Sequence, residues 1–339
     1  MTKAVALLSG GLDSMLAIRL VREQGVDVLA LHFVSVFNCG AKPGKGLAAR
    51  KAADALGVPL RLIDFTEEQL ELIRNPPHGF GSAANPCIDC HMAMLRRAAR
   101  IMEEVGADFI VTGEVVGQRP MSQRRFALGL IDNATGLGGK ILRPLCAKEL
   151  PATEAEKNGL VDRERLEGIT GRTRTRQMEL ARTFGITAYP SPAGGCLLTD
   201  PEFGRRVKDL LAHNQFDLNN AHLLKVGRHY RLDDETKVVI GRDERENVVI
   251  ETFSRPGDLV IILEGVPGPT TLLRGKASDE NLLAAAALTA RASKARTAPT
   301  AKLRVRRART DEEGASVTVT PADDDFAAAL TISAGKEGK

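Results

Sequence analysis

The feature that most constrains this chain is a glycine-bearing turn between an apolar run and an amphipathic helical pattern, close to the first residue. The run at 4–8 predicts a buried strand, and 15–21 predicts a helix. The turn between them is formed by Ser9, Gly10, Gly11, Leu12, Asp13 and Ser14. Glycines let the backbone approach an anion closely, and the unpaired N–H groups of a helix N-terminus attract phosphate. The pattern therefore predicts a strand–turn–helix phosphate site.

The turn differs from two known nucleotide-binding motifs. A Walker A loop has a lysine after its second glycine, where this chain has Leu12. A dinucleotide fingerprint has three spaced glycines, and that spacing is missing here. The remaining alternative is an ordinary strand–turn–helix junction without a ligand.

Length and charge bound the organisation of the chain. A chain of 339 residues is long enough for two domains and a small third region. No window approaches the roughly 20 apolar residues of a membrane span, and the chain enters a strand without a signal peptide. We therefore expect a cytoplasmic protein with no membrane partner. The stretch 291–309 holds eight Lys or Arg residues and no acidic residue, which predicts either contact with a phosphate backbone or a solvated linker.

The periodicity changes along the chain. Apolar strands at 3–8, 27–33, 59–64 and 108–112 alternate with helical patterns at 14–24, 47–56, 67–74 and 90–105, which is typical of a parallel α/β fold. After 218 the predicted strands are short, at 224–227, 229–232, 237–240, 248–252 and 259–263. We therefore predict an α/β domain at 1–214, a smaller β-rich α+β domain at 222–290, and a basic low-complexity linker and tail with one strand at 291–339.

Five cysteines, an odd number in a reducing compartment, favour metal, cluster or redox use over a disulfide framework. Cys87 and Cys90 form a C-x-x-C pair at the start of a helix, and Cys196 follows two glycines. A zinc site needs a fourth ligand, a redox dithiol leaves Cys196 unused, and three thiolates can hold a 4Fe–4S cluster with one open iron. Three unrelated cysteines remain a further alternative. Cys39 and Cys146 are interpreted as ordinary buried thiols.

Several motifs resemble a known family. The turn at 9–14 resembles the PP-loop of the ATP pyrophosphatases, which cleave ATP between its α and β phosphates and adenylate a carbonyl oxygen. The segment 85–90 resembles the Asn-Pro-Asp-x-x-Cys motif of the tRNA 2-thiouridylases, and Cys196 falls where they carry a second cysteine. Cys87 replaces the Asp, which is similar to the cluster-dependent tRNA thiolases. Segments 112–123 and 194–199 extend the resemblance to roughly residues 1–210.

The resemblance implies a parallel-sheet PP-loop (HUP-like) domain that uses ATP and Mg²⁺ to thiolate a tRNA uridine. It implies that Asp13 positions Mg²⁺ and that ATP is bound by Ser9, Gly10, Gly11, Leu12, Asp13, Ser14, His32, Phe33 and Gly113. Two versions of sulfur delivery stay open. Either Cys87, Cys90 and Cys196 hold a 4Fe–4S cluster, or Cys90 carries a persulfide and Cys196 resolves the disulfide. The sulfur donor is sulfide or a cysteine desulfurase, and a homodimer is among the open oligomeric states.

The second domain resembles the NFACT-type RNA-binding domain at 226–232 and 241–247. This likeness implies that Arg228, His229, Arg231 and Arg242 contact RNA. The chain has no Trp and two Tyr, so recognition of backbone and shape is favoured over base stacking.

Together the resemblances imply a tRNA sulfurtransferase that makes 4-thiouridine at tRNA position 8. Three alternatives remain: a wobble 2-thiouridine synthase that uses a cysteine persulfide, a PP-loop enzyme with another acceptor, and a non-enzymatic RNA-binding protein with a vestigial PP-loop fold.

Overall fold

The computed structural model describes residues 1–38, 47–189 and 196–332. Cys39 and the glycines at 194 and 195, which the sequence analysis singles out, lie outside the described residues. The chain divides into two compact units, Met1–Leu197 and Leu198–Lys339. The division comes earlier than the predicted 214–222, because Asp209 accepts hydrogen bonds from Arg231 and Lys237 and so ties its helix to the second unit.

The first unit is built on a five-stranded parallel sheet with the strand order β3-β2-β1-β4-β5. The strands, which confirm the predicted parallel α/β fold, are β1 (Lys3–Leu7), β2 (Asp27–Val34), β3 (Leu60–Asp64), β4 (Phe109–Val111) and β5 (Ile141–Leu142). The strand order reverses between β1 and β4. In parallel sheets, ligands bind beyond the carboxyl ends of the strands at such a reversal.

Helices cover both faces of this sheet. They are α1 (Leu12–Arg22), α2 (Leu47–Leu56), α3 (Thr66–Arg74), α4 (Cys87–Glu104), α5 (Arg125–Thr135), α6 (Glu154–Lys157) and α7 (Thr175–Thr183). One apolar core joins α1, α2 and α7 to the sheet, and a second joins α3, α4 and α5 to its other face. The stretch 151–184 forms the four-residue α6, a 3₁₀ turn and α7.

The second unit has a six-stranded antiparallel sheet in the order β11-β10-β8-β9-β7-β6. Its strands are β6 (Arg228–Arg231), β7 (Lys237–Ile240), β8 (Leu259–Leu263), β9 (Thr271–Arg274), β10 (Ala301–Arg307) and β11 (Ala315–Val319). Its helices are α8 (Pro201–Ala212), α9 (Leu218–Leu223), α10 (Glu244–Thr252), α11 (Asp279–Arg291) and α12 (Asp324–Leu330). Nowhere in the described ranges is a helix both long and apolar enough to cross a membrane.

Three predictions for the second unit are wrong, the first being the strand at 224–227, where the chain forms turns. The described part of the predicted linker and tail, 291–332, supplies β10 and α12 besides β11, which is the one strand predicted there. In β10, Leu303 and Val305 enter the core between outward cationic residues. The segment 248–252 is helical, not a strand. Asp243 caps that helix by accepting a hydrogen bond from the backbone N–H of Glu246 at 2.9 Å.

Candidate functional site

The turn at 9–14 lies at the carboxyl end of β1, at the reversal of strand order. Gly10 has φ +83°, and a Cβ there would lie 2.9 Å from the backbone of Ala48 and Ala49 at the start of α2. Gly10 is therefore required both by its left-handed backbone and by the close approach of α2.

Hydrogen bonds within the turn fix its shape. Ser14 Oγ donates to the Gly11 carbonyl at 2.8 Å and accepts from the Ser9 N–H at 3.2 Å. Ser9 Oγ accepts from the Gly11 N–H at 3.2 Å. Gly11, the N-cap of α1, makes no side-chain cap. The first turn of α1 is thus left without the side chain that usually satisfies its N–H groups, as an anion site requires. Leu12 is 1% exposed and serves the core.

Gly113 brings a second loop against the turn. A Cβ at Gly113 would lie 2.6 Å from the backbone nitrogen of Ser14 and 2.7 Å from the carbonyl carbon of Asp13. Any other residue would therefore push the loop after β4 away from the start of α1. The predicted site residue Gly113 lies directly on the phosphate turn.

Asp13 occupies the first turn of α1. Its Oδ2 accepts hydrogen bonds from Gln118 Nε2 at 2.8 Å and from Arg174 Nη2 at 3.2 Å. Its Oδ1 is buried and has no hydrogen-bond partner among the described residues. Carboxylate oxygens are preferred Mg²⁺ ligands, so Asp13 fits a magnesium site by donor type.

His32 and Phe33, at the end of β2, differ in role. His32 Nδ1 donates to the Leu8 carbonyl at 2.8 Å. Burial lowers the pKa of this imidazole and outweighs the hydrogen bond, which acts to raise it. The neutral ring therefore anchors the strand that leads into the phosphate turn. Phe33 packs edge-on against Phe65 in the core on the α4 face, so its side chain serves packing in this structure.

The three predicted cysteines converge on the same edge of the first unit. Cys87 begins α4, Cys90 is 7% exposed, and Cys196 forms a β-bridge with Asn38 beyond the end of β2. Burial raises the pKa of the Cys90 thiol well above its ordinary value, and the neighbouring charges of Cys196 and Cys87 raise it further. The three sulfurs thus lie within electrostatic reach of one another.

Side-chain amides point at two of these sulfurs. Asn85 Nδ2 donates to Cys87 Sγ at 3.1 Å, and the buried Gln69 donates from Nε2 to Cys90 Sγ at 3.7 Å. Thiolate ligands and N–H donors to sulfur suit a 4Fe–4S cluster by donor type. In the part of the chain that the structure describes, no three His, Cys, Asp or Glu side chains stand close enough to hold a metal ion. The three thiols and their amide neighbours therefore suit a cluster by donor type.

A buried charge network lies behind the site. Glu114 accepts from His91 Nδ1 at 2.8 Å and from Thr112 Oγ1 at 3.0 Å, and it pairs with Arg143 at 2.9 Å. Arg143 also forms a bidentate pair with Asp132. Burial alone would raise the pKa of Glu114, but Arg143 and His91 hold it at about 2. The side chain of Arg143 is therefore fully engaged within this network.

Cys146 is fully buried beside this network. Burial raises the pKa of its thiol to about 11, as expected of an ordinary buried thiol.

Two of the four predicted RNA contacts in the second unit have internal partners. His229 is 2% exposed, and burial lowers its pKa well below the ordinary value. Arg231, which is 13% exposed, pairs bidentately with Asp209, which is 10% exposed. Arg228 is exposed, and Arg242 is half exposed and paired with Glu246. His229 is therefore a core residue in this structure, and the RNA contacts of Arg228, Arg231 and Arg242 stay predictions.

The outward side chains of β10 present another cationic surface. Lys302, Arg304 and Arg306, here called the β10 row, are 61%, 45% and 28% exposed. These three cations form ion pairs with two acidic residues, Glu264 and Glu251, so the row keeps an excess of positive charge. The sequence predicted these cations in a linker, because the many Lys and Arg residues obscure the alternation of Leu303 and Val305.

Comparisons with known proteins agree with this division. Residues 1–152 match the family described as Thiamine biosynthesis protein (ThiI), and residues 227–329 match the NFACT protein RNA binding domain. Both units therefore resemble known families, and the match of the second unit confirms its predicted likeness to the NFACT-type RNA-binding domain. The second match continues past residue 290 and so includes β10 and β11, which belong to the same sheet as β6–β9.

Curated relatives match part of the first unit. A tRNA-specific 2-thiouridylase of Sulfurimonas denitrificans is 33% identical over 34% of this chain and 36% of its own length. A probable tRNA sulfurtransferase of Acetivibrio thermocellus is 37% identical over 34% of this chain and 29% of its own length. The chain thus spans about a third of the length of these relatives.

Two solved structures share partial likeness. A 4-thiouridine synthetase–RNA complex with bound ATP is 24% identical at a TM-score of 0.37, over 66% of this chain and 52% of its own. The C-terminal part of a fibronectin/fibrinogen-binding protein from Streptococcus suis is 15% identical at a TM-score of 0.30, over 78% of this chain and 94% of its own.

Proposed function

We propose that this protein is an ATP-dependent tRNA sulfurtransferase that converts a uridine to 4-thiouridine, at tRNA position 8. One observation carries the proposal: the uncapped phosphate turn and the three converging cysteines lie at the carboxyl edge of one parallel sheet. The family match of the first unit and the thiolating relatives support tRNA thiolation, and the choice of 4-thiouridine at position 8 is part of the proposal.

The reaction divides into two displacements. The uridine carbonyl oxygen attacks the α phosphorus of ATP, the bond between the α phosphorus and the bridging oxygen breaks, and pyrophosphate leaves. A sulfur nucleophile then adds to the activated ring carbon, the carbon–oxygen bond breaks, and AMP leaves with the former carbonyl oxygen. The N–H groups of the first turn of α1 hold phosphate, and Asp13 holds Mg²⁺ through its unpartnered Oδ1.

We propose that Cys87, Cys90 and Cys196 hold a 4Fe–4S cluster. When bound, such a cluster supplies an open iron position for sulfide. The amides of Asn85 and Gln69 orient the sulfurs of Cys87 and Cys90. In the alternative, the terminal persulfide sulfur on Cys90 attacks the adenylated carbon and AMP leaves. The Cys196 thiolate then attacks Cys90 Sγ, the bond between Cys90 and the transferred sulfur breaks, and the sulfur stays on the ring. Two external thiols reduce the resulting Cys90–Cys196 disulfide.

RNA binding belongs to the second unit in this proposal. The β10 row contacts the phosphate backbone, a mode that needs exposed cations and few aromatic residues. Arg228 and Arg242 remain further contacts. Cytoplasmic tRNA is the proposed partner, and sulfide or a cysteine desulfurase is the proposed sulfur donor.

Nucleoside mass spectrometry of unmodified tRNA tests the proposal. The tRNA is incubated without oxygen with protein, ATP, Mg²⁺, sulfide and, in parallel, with Cys87→Ala and Cys146→Ala variants. We expect 4-thiouridine with wild type and with Cys146→Ala, and none with Cys87→Ala, which also loses bound iron. A 2-thiouridine product would support the wobble alternative, and full activity of an iron-free Cys87→Ala variant would contradict the cluster.

A further inference from the structure

Arg174 makes the one side-chain ion pair that the structure gives Asp13 of the phosphate turn. Its Nη2 lies 3.2 Å from Asp13 Oδ2, and the two side chains are 19% and 18% exposed. Arg174 is the N-cap of α7, and its backbone carbonyl accepts from the N–H of Met178. Leu180 of α7 packs with α1 in one core. The guanidinium is therefore carried to the start of α1 by a packed helix.

The pair is incomplete on both sides. Asp13 Oδ1 and Arg174 Nε are buried, and neither has a hydrogen-bond partner within the described ranges. Leaving a buried polar group unsatisfied costs about 1–3 kcal/mol. A site that carries an open carboxylate oxygen beside an open guanidinium N–H is complementary to a cation and an anion together.

Two glutamines hold this arrangement in place. Gln118 Nε2 donates to Asp13 Oδ2 at 2.8 Å, and Gln177 Nε2 donates to Gln118 Oε1 at 3.2 Å. Gln177 lies on α7 and is fully buried. Asp13 would thus keep one hydrogen bond if Arg174 turned away, so the guanidinium can be released without leaving the carboxylate unsupported.

We propose that Arg174 binds the polyphosphate of ATP, and that Asp13 holds it beside the turn until the nucleotide arrives. This inference rests on the proposed function, because it assigns a further residue to the same ATP site. A guanidinium offers a planar fork of N–H donors that matches phosphate oxygens in pairs. Mg²⁺ brought by the nucleotide replaces the positive charge that Asp13 gives up.

Calorimetric titration with α,β-methylene ATP and Mg²⁺, together with KM and kcat for AMP formation, tests the role. The variants are Arg174→Gln, Arg174→Lys and, as a matched control, Arg172→Gln, which removes an exposed charge two residues away. We expect Arg174→Gln to weaken binding by about 10- to 100-fold, the loss of a charged hydrogen bond. Arg174→Lys should recover part of that affinity, and Arg172→Gln should bind like wild type.

The outcomes separate the two proposals. Wild-type affinity in Arg174→Gln, with a lowered melting temperature, would make Arg174 a structural anchor and overturn the inference while thiolation stands. Tight wild-type binding that Arg174→Gln weakens, without any thiouridine product, would support Arg174 and overturn the proposed sulfur transfer. A wild-type protein that does not bind the analogue would overturn both.

Discussion

The first unit contains two carboxylate–arginine pairs of the same chemistry. The polar atoms of one pair are all hydrogen-bonded, whereas the other pair keeps buried polar atoms without a partner among the described residues. Glu114 and Arg143 are buried, and their charged atoms meet His91, Thr112 and Asp132. Asp13 and Arg174 are each almost one-fifth exposed, and each keeps a buried atom without a partner among the described residues. A completed buried network stabilises a fold, whereas an incomplete pair beside a phosphate turn leaves donor capacity for a ligand.

Replacing Glu114 with Gln should produce the largest effect on stability. Arg143 would keep Asp132 but lose the negative charge that offsets its burial. Breaking a buried pair costs about 3–5 kcal/mol, so the first unit's free energy of unfolding should fall by that amount in urea titrations. A loss below about 1 kcal/mol, typical of a surface pair, would contradict the distinction drawn here.

Replacing Asp13 with Asn should affect catalysis instead. AMP formation should fall by about 10²- to 10³-fold, as when one preorganised charge-stabilising group is removed, while the urea midpoint changes little. The control is Asp54→Asn, which removes an exposed carboxylate from α2 and should keep wild-type activity. An Asp13→Asn variant that unfolds like Glu114→Gln would show that both pairs are structural.

Acid should separate wild type from Glu114→Gln. The folded pKa of Glu114 is about 2, below the 4.5 of an exposed glutamate. A carboxyl group whose pKa is lowered by folding contributes its full stabilisation of the folded state above the pKa of the unfolded state. That contribution is lost as pH falls from 4.5 toward about 2. It amounts to about 3 kcal/mol. Unfolding free energies measured from pH 6 to pH 3 should fall more steeply for wild type than for the variant, and equal slopes would contradict the assignment.

The smallest effect is expected in the second unit. An Arg304→Gln variant should bind tRNA several-fold more weakly. The slope of log affinity against log salt concentration should fall in magnitude by about 1. Arg231→Gln removes the same charge from the buried pair with Asp209, so it should lower stability and leave the affinity of the folded protein unchanged. Filter binding across a salt series measures both, and the reverse ranking would support Arg231 as an RNA contact.

Local signals were predictable from the sequence. The phosphate turn depends on neighbouring residues, and Gly113 was predicted from the motif at 112–123, which the structure places against that turn. Arg174 was missed because its partner Asp13 is 161 positions away. The internal partners of His229 and Arg231 were missed because residue type does not show them. The strand β10 was missed because arginines hid the alternation of Leu303 and Val305.

Label transfer from ATP to RNA tests the central claim most directly. Unmodified tRNA is incubated with wild-type protein, Mg²⁺ and ATP labelled at the α phosphorus, with sulfide withheld so that the adenylated uridine is not consumed. We predict label on the tRNA with wild type, almost none with Asp13→Asn, and release of the label as AMP when sulfide is added. Absence of both labelled tRNA and AMP, from a protein that binds ATP and tRNA, would contradict the assignment of the turn as an adenylating site.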